Sequence, residues 1–532
     1  MKPSSSLNLS TERRQFLQLA AAGAATLCLP RSAWSQPRFG GNPFTLGVAS
    51  GSPTHDSVVL WTRLMAGDRP EAALADGRPV TVRWEVAHDE RFSRIVHSGQ
   101  AQALPELAHS VHVEVPALEP DRWYFYRFMV GEAASPVGRT RTFPAPDAPA
   151  QKLRLAYASC QRWEHGYFSA YRHMIQEDLD AVLFLGDYIY EYAGTSNPVR
   201  LPTGGWVITL DDYRQRYALH KGEAALQAMH AACPWLVTWD DHEVQNDYVG
   251  MEPGNSGPRV ADFAARRAAA YQAYYEHMPL RAAVLTQAMA GLAGGAEMRI
   301  YGSTRFGRLA TLYRLDARQY RDRQACTPGG RPGSATLNPE TCALWNDPRR
   351  TFLGAAQEQW LDAALAQAGP GWNVLGQQTL LGRRDFRTGP GQSLWNDGWD
   401  GYPAARTRLT DSLRRHAVAN TVVLSGDVHE NWVGHVKADF AEAASPSIGV
   451  EFCGTSITSR AGGAGKVPQV LAENPHFVFA DAEHRGYGVV EFTPQRVSTT
   501  LRAVDDVRLP DSGIHTLARF EVQAGRPVVE RA

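Results

Sequence analysis

Four apolar runs of this chain stop at residues that can do chemistry. "LRLAYASC" ends at Cys160, and "DAVLFLGDYIY" reaches Asp187 and Tyr190. "PWLVTWDDHEVQND" carries Asp240, Asp241, His242 and Asn246, and "TVVLSGDVH" ends on Asp427 and His429. A thiol, a phenol, imidazoles, an amide and several carboxylates are the materials of a metal site. Crowded together without a cation, the acidic groups would repel one another. An ion of high charge holds them together and keeps them deprotonated. Each motif alone has an ordinary reading. A Gly-Asp after a strand is commonly a turn or a helix cap, a strand-end Cys is commonly core, and Asp-Asp-His-Glu also reads as a solvated loop. The combination is what points to metal chemistry. If the four strands neighbour one another in one sheet, their ends converge on one edge.

The elements that must position these residues are legible as patterns. The runs at 153–160, 180–188, 234–243, 372–381 and 421–429 read as strands, and continuous apolarity in them points to a sheet covered on both faces. Helical periodicity predicts helices over 166–179, 355–369 and 407–420. Such sheets bind ligands beyond the carboxyl ends of their strands. Before them, 57–64, 80–89, 111–118 and 122–130 are β-branched and aromatic runs separated by turns, which reads as an all-β sandwich of fibronectin/Ig type. Leu118-x-Pro120 followed by Tyr124 fits a tyrosine corner, and "FPAPDAPAQ" (143–151) reads as a linker. The expected organisation is a sandwich over 40–145, a catalytic α/β domain of sheets flanked by helices over 151–505, and a tail over 506–532 whose role as a lid is open.

With 532 residues the chain exceeds one ordinary domain, and 44% hydrophobic against 20% charged residues supports a large core. A net charge of −1 offers no general attraction to nucleic acid or to an anionic membrane. Residues 1–35 read as an address: Arg13-Arg14 precede a short apolar run, and Ala33-Trp34-Ser35 offers a cleavage site. That pattern resembles a twin-arginine export signal; an ordinary secretory signal or a retained anchor is the alternative. The apolar run is too short for a comfortable membrane span. The expectation is a periplasmic or secreted protein with the twin-arginine translocation machinery as a partner. In an oxidising compartment Cys326 and Cys342 are the natural disulfide pair, and Cys233 reads as core.

"GDYIY", "DDHE" and "SGDVH" resemble the metallophosphoesterase elements G-D-x-x-Y, G-N-H-E and G-H-x-H. Cys160, Asp241 and Asp427 stand where that superfamily usually has Asp, Asn and His, and those departures are features of the alkaline phosphatase D (PhoD-like) family. "FTLGVASGSPTHDSVVLWTRL", "LDARQYRD" and "HFVFADAEHRGY" are similar to it too, so the resemblance spans about residues 40–505. It implies an α/β metallophosphoesterase sandwich behind the β-sandwich. It also implies a two-metal site of Fe(3+) and Ca(2+), and phosphoester hydrolysis by a metal-activated hydroxide. By motif position, Cys160, Asp187 and Tyr190 fall on the iron side, with Asp187 bridging. Asp427 and His429 join the cluster without being divided between the metals, and Asn246 or Asp241 completes the calcium side. Asp241 and His242 are the catalytic candidates. His242 either donates a proton to the leaving oxygen or makes a structural hydrogen bond. Arg318 and Arg321 either contact the phosphate or pair with Asp316 and Asp322.

The substrates implied are small-molecule or lipid phosphoesters, monoesters or diesters. A phospholipase D-type phosphodiesterase on the same scaffold is the first rival, and a non-catalytic exported binding protein is the second. A zinc hydrolase is disfavoured because the sequence has no H-E-x-x-H helix.

Overall fold

The computed structural model describes residues 39–65, 74, 77–285, 297–462 and 464–532. The expected signal segment lies outside the described residues. The N-terminal strands are β1 (Val48–Gly51), β2 (Val58–Arg63), β3 (Val80–Ala87), β4 (Ile95–Ala103), β5 (Ser110–Val115), β6 (Trp123–Val130), β7 (Ala133–Ala134) and β8 (Gly138–Arg141). There follow β9 (Leu153–Ala158), β10 (Ala181–Phe184), β11 (Trp235–Val237), β12 (Gly302–Phe306), β13 (Ala310–Arg314), β14 (Thr336–Leu337), β15 (Trp372–Thr379) and β16 (Leu394–Trp395). The last are β17 (Thr421–Gly426), β18 (Asn431–Lys437), β19 (Ser447–Cys453), β20 (Phe477–Asp481), β21 (Arg485–Phe492), β22 (Arg496–Val504), β23 (Ile514–Gln523) and β24 (Glu530–Arg531).

The N-terminal strands form two facing layers. Val58, Leu60, Val111 and Val113 pack against Val82, Val86, Tyr126 and Phe128. Along β6 burial alternates residue by residue, as a strand with one core face requires. The Tyr124 hydroxyl accepts the Glu119 N–H at 2.9 Å, closing the tyrosine corner. One expectation is corrected here. The layer β1-β2-β5 is not a separate sheet, because β1 pairs in parallel with β11 at Gly51–Trp235. It thereby extends a ten-stranded sheet ordered β24-β23-β22-β21-β9-β10-β11-β1-β2-β5.

The four strand ends do not share one sheet either. β9, β10 and β11 are parallel neighbours in the ten-stranded sheet. β17 lies between β15 and β19 in a second sheet of seven strands. The sheets pack face to face through Leu155, Leu183 and Leu236 on one side and Val374, Val422 and Leu424 on the other. Each such side chain contributes about 1.5–3 kcal/mol on burial. The outer face of the first sheet (Ala156, Val182, Phe184) is covered by the helices Leu210–Lys221, Ala224–Ala232 and Phe263–His277. Leu375 and Val423 of the second sheet lie under Ala355–Leu365 and Pro403–Arg415. Helix, sheet, sheet and helix make four layers. This explains the apolar runs without alternation: every residue of these strands meets either the other sheet or a helix.

The helix expected over 166–179 is only Ala170–Met174 with a 3-10 turn at Ile175–Glu177. Asp178, left-handed at φ 49°, ends it. The helix Leu210–Lys221, not foreseen from periodicity, starts at a capping box between Thr209 and Asp212. The tail is no lid. Ile514–Gln523 pairs along β22, and the Tyr167 N–H donates to the Val507 carbonyl at 2.7 Å. Cys326 and Cys342 form a disulfide, and Cys233 is buried core. Among the described residues no helix is long and apolar enough to cross a membrane.

Candidate metal centre

The two sheets bring their loaded ends together through close backbone contacts. A Cβ on Gly186 would fall 2.5 Å from the Cβ and the backbone nitrogen of Asp240. One on Gly426 would fall 2.3 Å from Ser159 Oγ. The first contact joins the β10 and β11 ends; the second joins β17 of one sheet to β9 of the other. That is why a glycine precedes each of Asp187 and Asp427. Glu243 binds the turns together: its carboxylate accepts the backbone N–H groups of Asp187 at 3.1 Å, Tyr188 at 2.7 Å and Asp240 at 2.9 Å.

Past these contacts the backbone leaves ordinary strand geometry. Cys160 (φ 60°), Asp187 (58°), Asp427 (67°) and His429 (59°) are all left-handed, a conformation that is uncommon without glycine and gathers at functional sites. The turns redirect these side chains off the strand ends.

Cys160, Asp187 and His429 place one ligand atom each within 4.8 Å of one another, and so do Asp187, Asp241 and His242. Asp187 belongs to both groups. Tyr190 joins the first: its hydroxyl donates to Asp187 Oδ2 at 2.7 Å and lies 3.2 Å from His429 Nε2. Ser459 Oγ is 2.8 Å from that hydroxyl and from the Cys160 carbonyl. His429 Nδ1 donates to the Arg460 carbonyl at 2.9 Å, which leaves Nε2 as the lone-pair atom facing the cluster. Burial and the nearby Arg485 hold His429 down at about 3, in its neutral, ligand-competent form.

The chemistry of this donor set fits a cation. Burial, with Asp187 and Asp427 beside it, pushes the Cys160 thiol well up. Burial with Asp187 and Cys160 does the same to Tyr190, and burial with Asp241 and Asp240 raises Asp187. Asp187 Oδ1 is buried and has no hydrogen-bond partner. Left alone, these groups stay protonated or unsatisfied. Thiolate and phenolate suit a trivalent ion, and carboxylate oxygens suit calcium.

Asp427, expected in the same cluster, lies 3.8 Å from Arg318 Nη2, and burial raises it to about 6. The Asn246 side chain makes no hydrogen bond to a described residue; the Asn246 backbone N–H donates to Glu191 Oε1 at 2.8 Å. His242 is buried against the Tyr190 ring at 4.1 Å between centroids, and its Nδ1 donates to Glu191 Oε2 at 2.7 Å. Burial alone would lower its affinity for protons, but Asp187, Glu191 and Asp241 outweigh that and raise it well above the ordinary value.

The two arginines are corrected. Arg318 is ion-paired to Asp240, lies 2.7 Å from Asp397 Oδ2 and 3.5 Å from Asp241 Oδ2. Arg321 lies 2.5 Å from Asp397 Oδ1. Both are buried and committed to carboxylates, so neither is a free phosphate-binding arm. Nor do they pair with Asp316 or Asp322: Asp316 Oδ1 accepts the Arg318 N–H at 3.0 Å, and Asp322 Oδ2 accepts the Thr351 N–H at 2.8 Å. Against burial, Arg318 and His242 hold Asp241 down at about 2.

Sequence reasoning missed Glu191, Asp247, Asp397 and Ser459. Glu191 and Asp247 lie inside the very motifs that were singled out, one residue past Tyr190 and Asn246. Asp247 and Asp397 form a third group with Asp241, within the same 4.8 Å. Asp397 and Ser459 fall in loops without periodicity, and no local signal marks them.

Residues 155–501 match the PhoD-like phosphatase family, and residues 30–144 match the N-terminal domain of PhoD-like phosphatases. The chain is 44% identical to alkaline phosphatase D of Bacillus subtilis (strain 168), covering 98% of this chain and 89% of that protein. A solved structure of PhoD superposes with a TM-score of 0.84 at 44% identity, covering 93% of each chain. The phosphatase match over residues 155–501 takes in every residue of the metal centre, and the chain belongs to the PhoD-like phosphatase family and is a phosphoric ester hydrolase.

Proposed function

We propose that the chain is an exported, metal-dependent phosphoester hydrolase that takes Fe(3+) and Ca(2+) at two positions sharing Asp187. The observation that carries this reading is the double membership of Asp187, grouped with Cys160 and His429 on one side and with Asp241 and His242 on the other. Cys160, Asp187, Tyr190 and His429 would hold the iron. Asp187 and Asp241, with Asn246 five residues past Asp241, would serve the calcium, and Asp427 would join the cluster without being divided between the metals. When bound, such a pair supplies positive charge to the phosphoryl oxygens and activates the attacking water.

The chain's own residues do the rest. The buried carboxylates and the two-sheet frame fix the ligand atoms before substrate arrives. His242, held by Glu191 through Nδ1, has Nε2 free to give its proton to the leaving oxygen. The N–H pair stays on nitrogen, and the P–O pair departs with the oxygen. An alkyl leaving group needs this proton; nitrophenolate does not. The same two-metal chemistry serves monoesters and diesters, so both are expected substrates, lipid phosphodiesters included. Export by the twin-arginine route rests on Arg13-Arg14 before the short apolar run.

The test is elemental analysis of the purified protein with assays on a nitrophenyl monoester, a bis-nitrophenyl diester and an alkyl phosphate. The expected outcome is iron and calcium in the protein, and chelator-sensitive turnover of all three. In His242→Ala, metals are retained and alkyl ester turnover falls about 10²–10⁴-fold, with a smaller loss on nitrophenyl esters. Full activity in protein stripped of both metals refutes the reading.

A further inference from the structure

We propose that the Cys326–Cys342 disulfide loop is a redox-sensitive clamp on the calcium side of the metal centre, and that Ser334 is the positioning residue it carries. This rests on the reading of Asp241 as a calcium ligand. Ser334 lies midway between the two cysteines. Its backbone N–H and its hydroxyl both donate to Asp247 Oδ2, at 2.9 and 2.8 Å. Among the described residues these are the only hydrogen bonds to the Asp247 carboxylate, and no Lys or Arg is in ion-pair range of it. Asp247 is buried, so a carboxylate that loses both donors is left without a partner. Asp247 in turn reaches the centre through its backbone: its N–H donates to Asp241 Oδ2 at 2.8 Å. Only Asp247 stands between the loop and the ligand.

A second hold starts beside the first cysteine. Gln324 Nε2 donates to the Asp247 carbonyl at 3.0 Å and to Asp397 Oδ1 at 2.6 Å, and Gln324 Oε1 accepts the Gly333 N–H at 3.2 Å. Asp247 is thus gripped by the stretch that enters the disulfide and by the middle of the loop that the disulfide closes. The loop has little structure of its own: the 3-10 turns Pro328–Gly330 and Pro339–Thr341, and β14 paired with β16. Gly329 and Gly330 are both left-handed, at φ 68° and 64°. Such a segment samples many conformations once its ends are free, and a crosslink removes most of them. Cys342 is buried with Ala325, Leu337 and Leu394, which ties the crosslink into a small apolar core, whereas Cys326 is exposed.

The exposure of Cys326 makes the clamp reversible. A thiolate of a dithiol reductant attacks Cys326 Sγ, the S–S bond breaks, and its electron pair goes to Cys342 Sγ, which takes a proton. The reductant's second thiolate then displaces Cys326, which takes the other proton, and the reductant leaves as its own disulfide. Two electrons and two protons are transferred, and both cysteines end as thiols. The opened loop lets Ser334 leave Asp247, and Asp241 Oδ2 loses the N–H that was held against it. Oxidation restores the grip. In a reducing compartment the calcium side is loose, and in an oxidising one it is set.

The test titrates calcium into the full-length protein and compares wild type, Cys326→Ser/Cys342→Ser, Ser334→Ala and the triple variant. Turnover of a nitrophenyl phosphate gives the calcium concentration for half-maximal rate, and elemental analysis at one fixed free calcium level gives bound calcium and iron. Expected is a rise of about 10–100-fold in the calcium requirement of the cysteine variant and of Ser334→Ala, with bound calcium lowered and iron unchanged. The triple variant needs no more calcium than the more affected of the two, because both changes break the same path. Dithiothreitol moves wild type to the level of the cysteine variant and leaves that variant where it is, and glutathione disulfide brings wild type back. Wild type is folded before it is reduced, so this arm decides even where a variant fails to fold. An unchanged calcium requirement in reduced wild type or in Ser334→Ala, additive shifts in the triple variant, or loss of iron along with calcium overturns the proposal, since the disulfide would then support only the fold. A wild type that binds no calcium overturns the underlying reading and the proposal with it. A calcium-dependent wild type with any of the former results overturns the proposal alone.

Discussion

Two buried clusters of charge meet at this end of the sheets and have opposite needs. In one, Arg318 and Arg321 lie among Asp240, Asp241 and Asp397, and the protein supplies its own cations. In the other, Cys160, Asp187, Tyr190 and His429 converge, and among the described residues no Lys or Arg comes within ion-pair range of Asp187. The clusters are joined through consecutive residues: Asp240 belongs to the first, and Asp241 faces both. A buried carboxylate is thus not a site by its type alone. What distinguishes Asp187 from Asp240 is whether the fold has already provided its counter-charge. Desolvated ions without partners cost several kcal/mol, so the open cluster is the one built to be completed from outside.

The largest expected effect follows from that contrast. Asp187→Ala should strip both metals and abolish turnover, measured by elemental analysis and by assay on a nitrophenyl ester. The same change should leave the Tm of the metal-free protein little changed, because loss of the Tyr190–Asp187 hydrogen bond is offset by removal of a buried carboxylate whose other oxygen has no partner. A sharp fall in metal-free Tm would break the comparison by showing that the protein itself satisfies Asp187.

Arg318→Met tests the other side. It leaves Asp240 and Asp241 buried without their cation and Asp397 with Arg321 alone, and about 3–5 kcal/mol of stability should be lost, read from urea unfolding of the metal-free protein. If Arg318→Met instead keeps its stability and raises KM, Arg318 is a substrate group and the cluster is not closed.

The contrast was only half legible in the sequence. The strand ends could be read because apolar runs stop abruptly at Asp187, Asp241 and Asp427, and a two-sided buried strand leaves a strong local imprint. The separation into two sheets could not be read. Leu183 and Leu424 face each other across sequence distance, and nothing local in either strand names its partner. Arg318 was misread for the same reason: its guanidinium is spent on Asp240 and Asp397, both far away in the chain. The left-handed turn at Cys160 is likewise invisible, because a cysteine does not call for that conformation. Glu191 was visible but unassigned, since its meaning is its contact with His242.

Lys221 sharpens the comparison from a third direction, with the smallest expected effect. It is a buried cation that the fold has neither paired nor left for an ion to complete. Its Nζ lies 3.5 Å from His230 Nε2 and 4.2 Å from the centre of the Trp61 ring, and among the described residues no carboxylate is in ion-pair range. Burial lowers it from 10.5 to about 7, so the fold discards this charge instead of compensating it. In the unfolded chain the same amine keeps its ordinary affinity for protons. Between about pH 7 and 10.5 the unfolded state therefore binds more protons than the folded one, and stability must rise with pH across that window. The slope is at most about 1.4 kcal/mol per pH unit, and it flattens below the folded value, where both states are charged. Lys221→Met keeps the apolar stem and removes the titration. Urea midpoints measured from pH 6 to 10 should show the variant more stable than wild type at the acid end, with the two curves converging as pH rises. Parallel curves would mean that Lys221 stays charged in the fold, and that a hidden counter-charge makes this cluster a closed one after all.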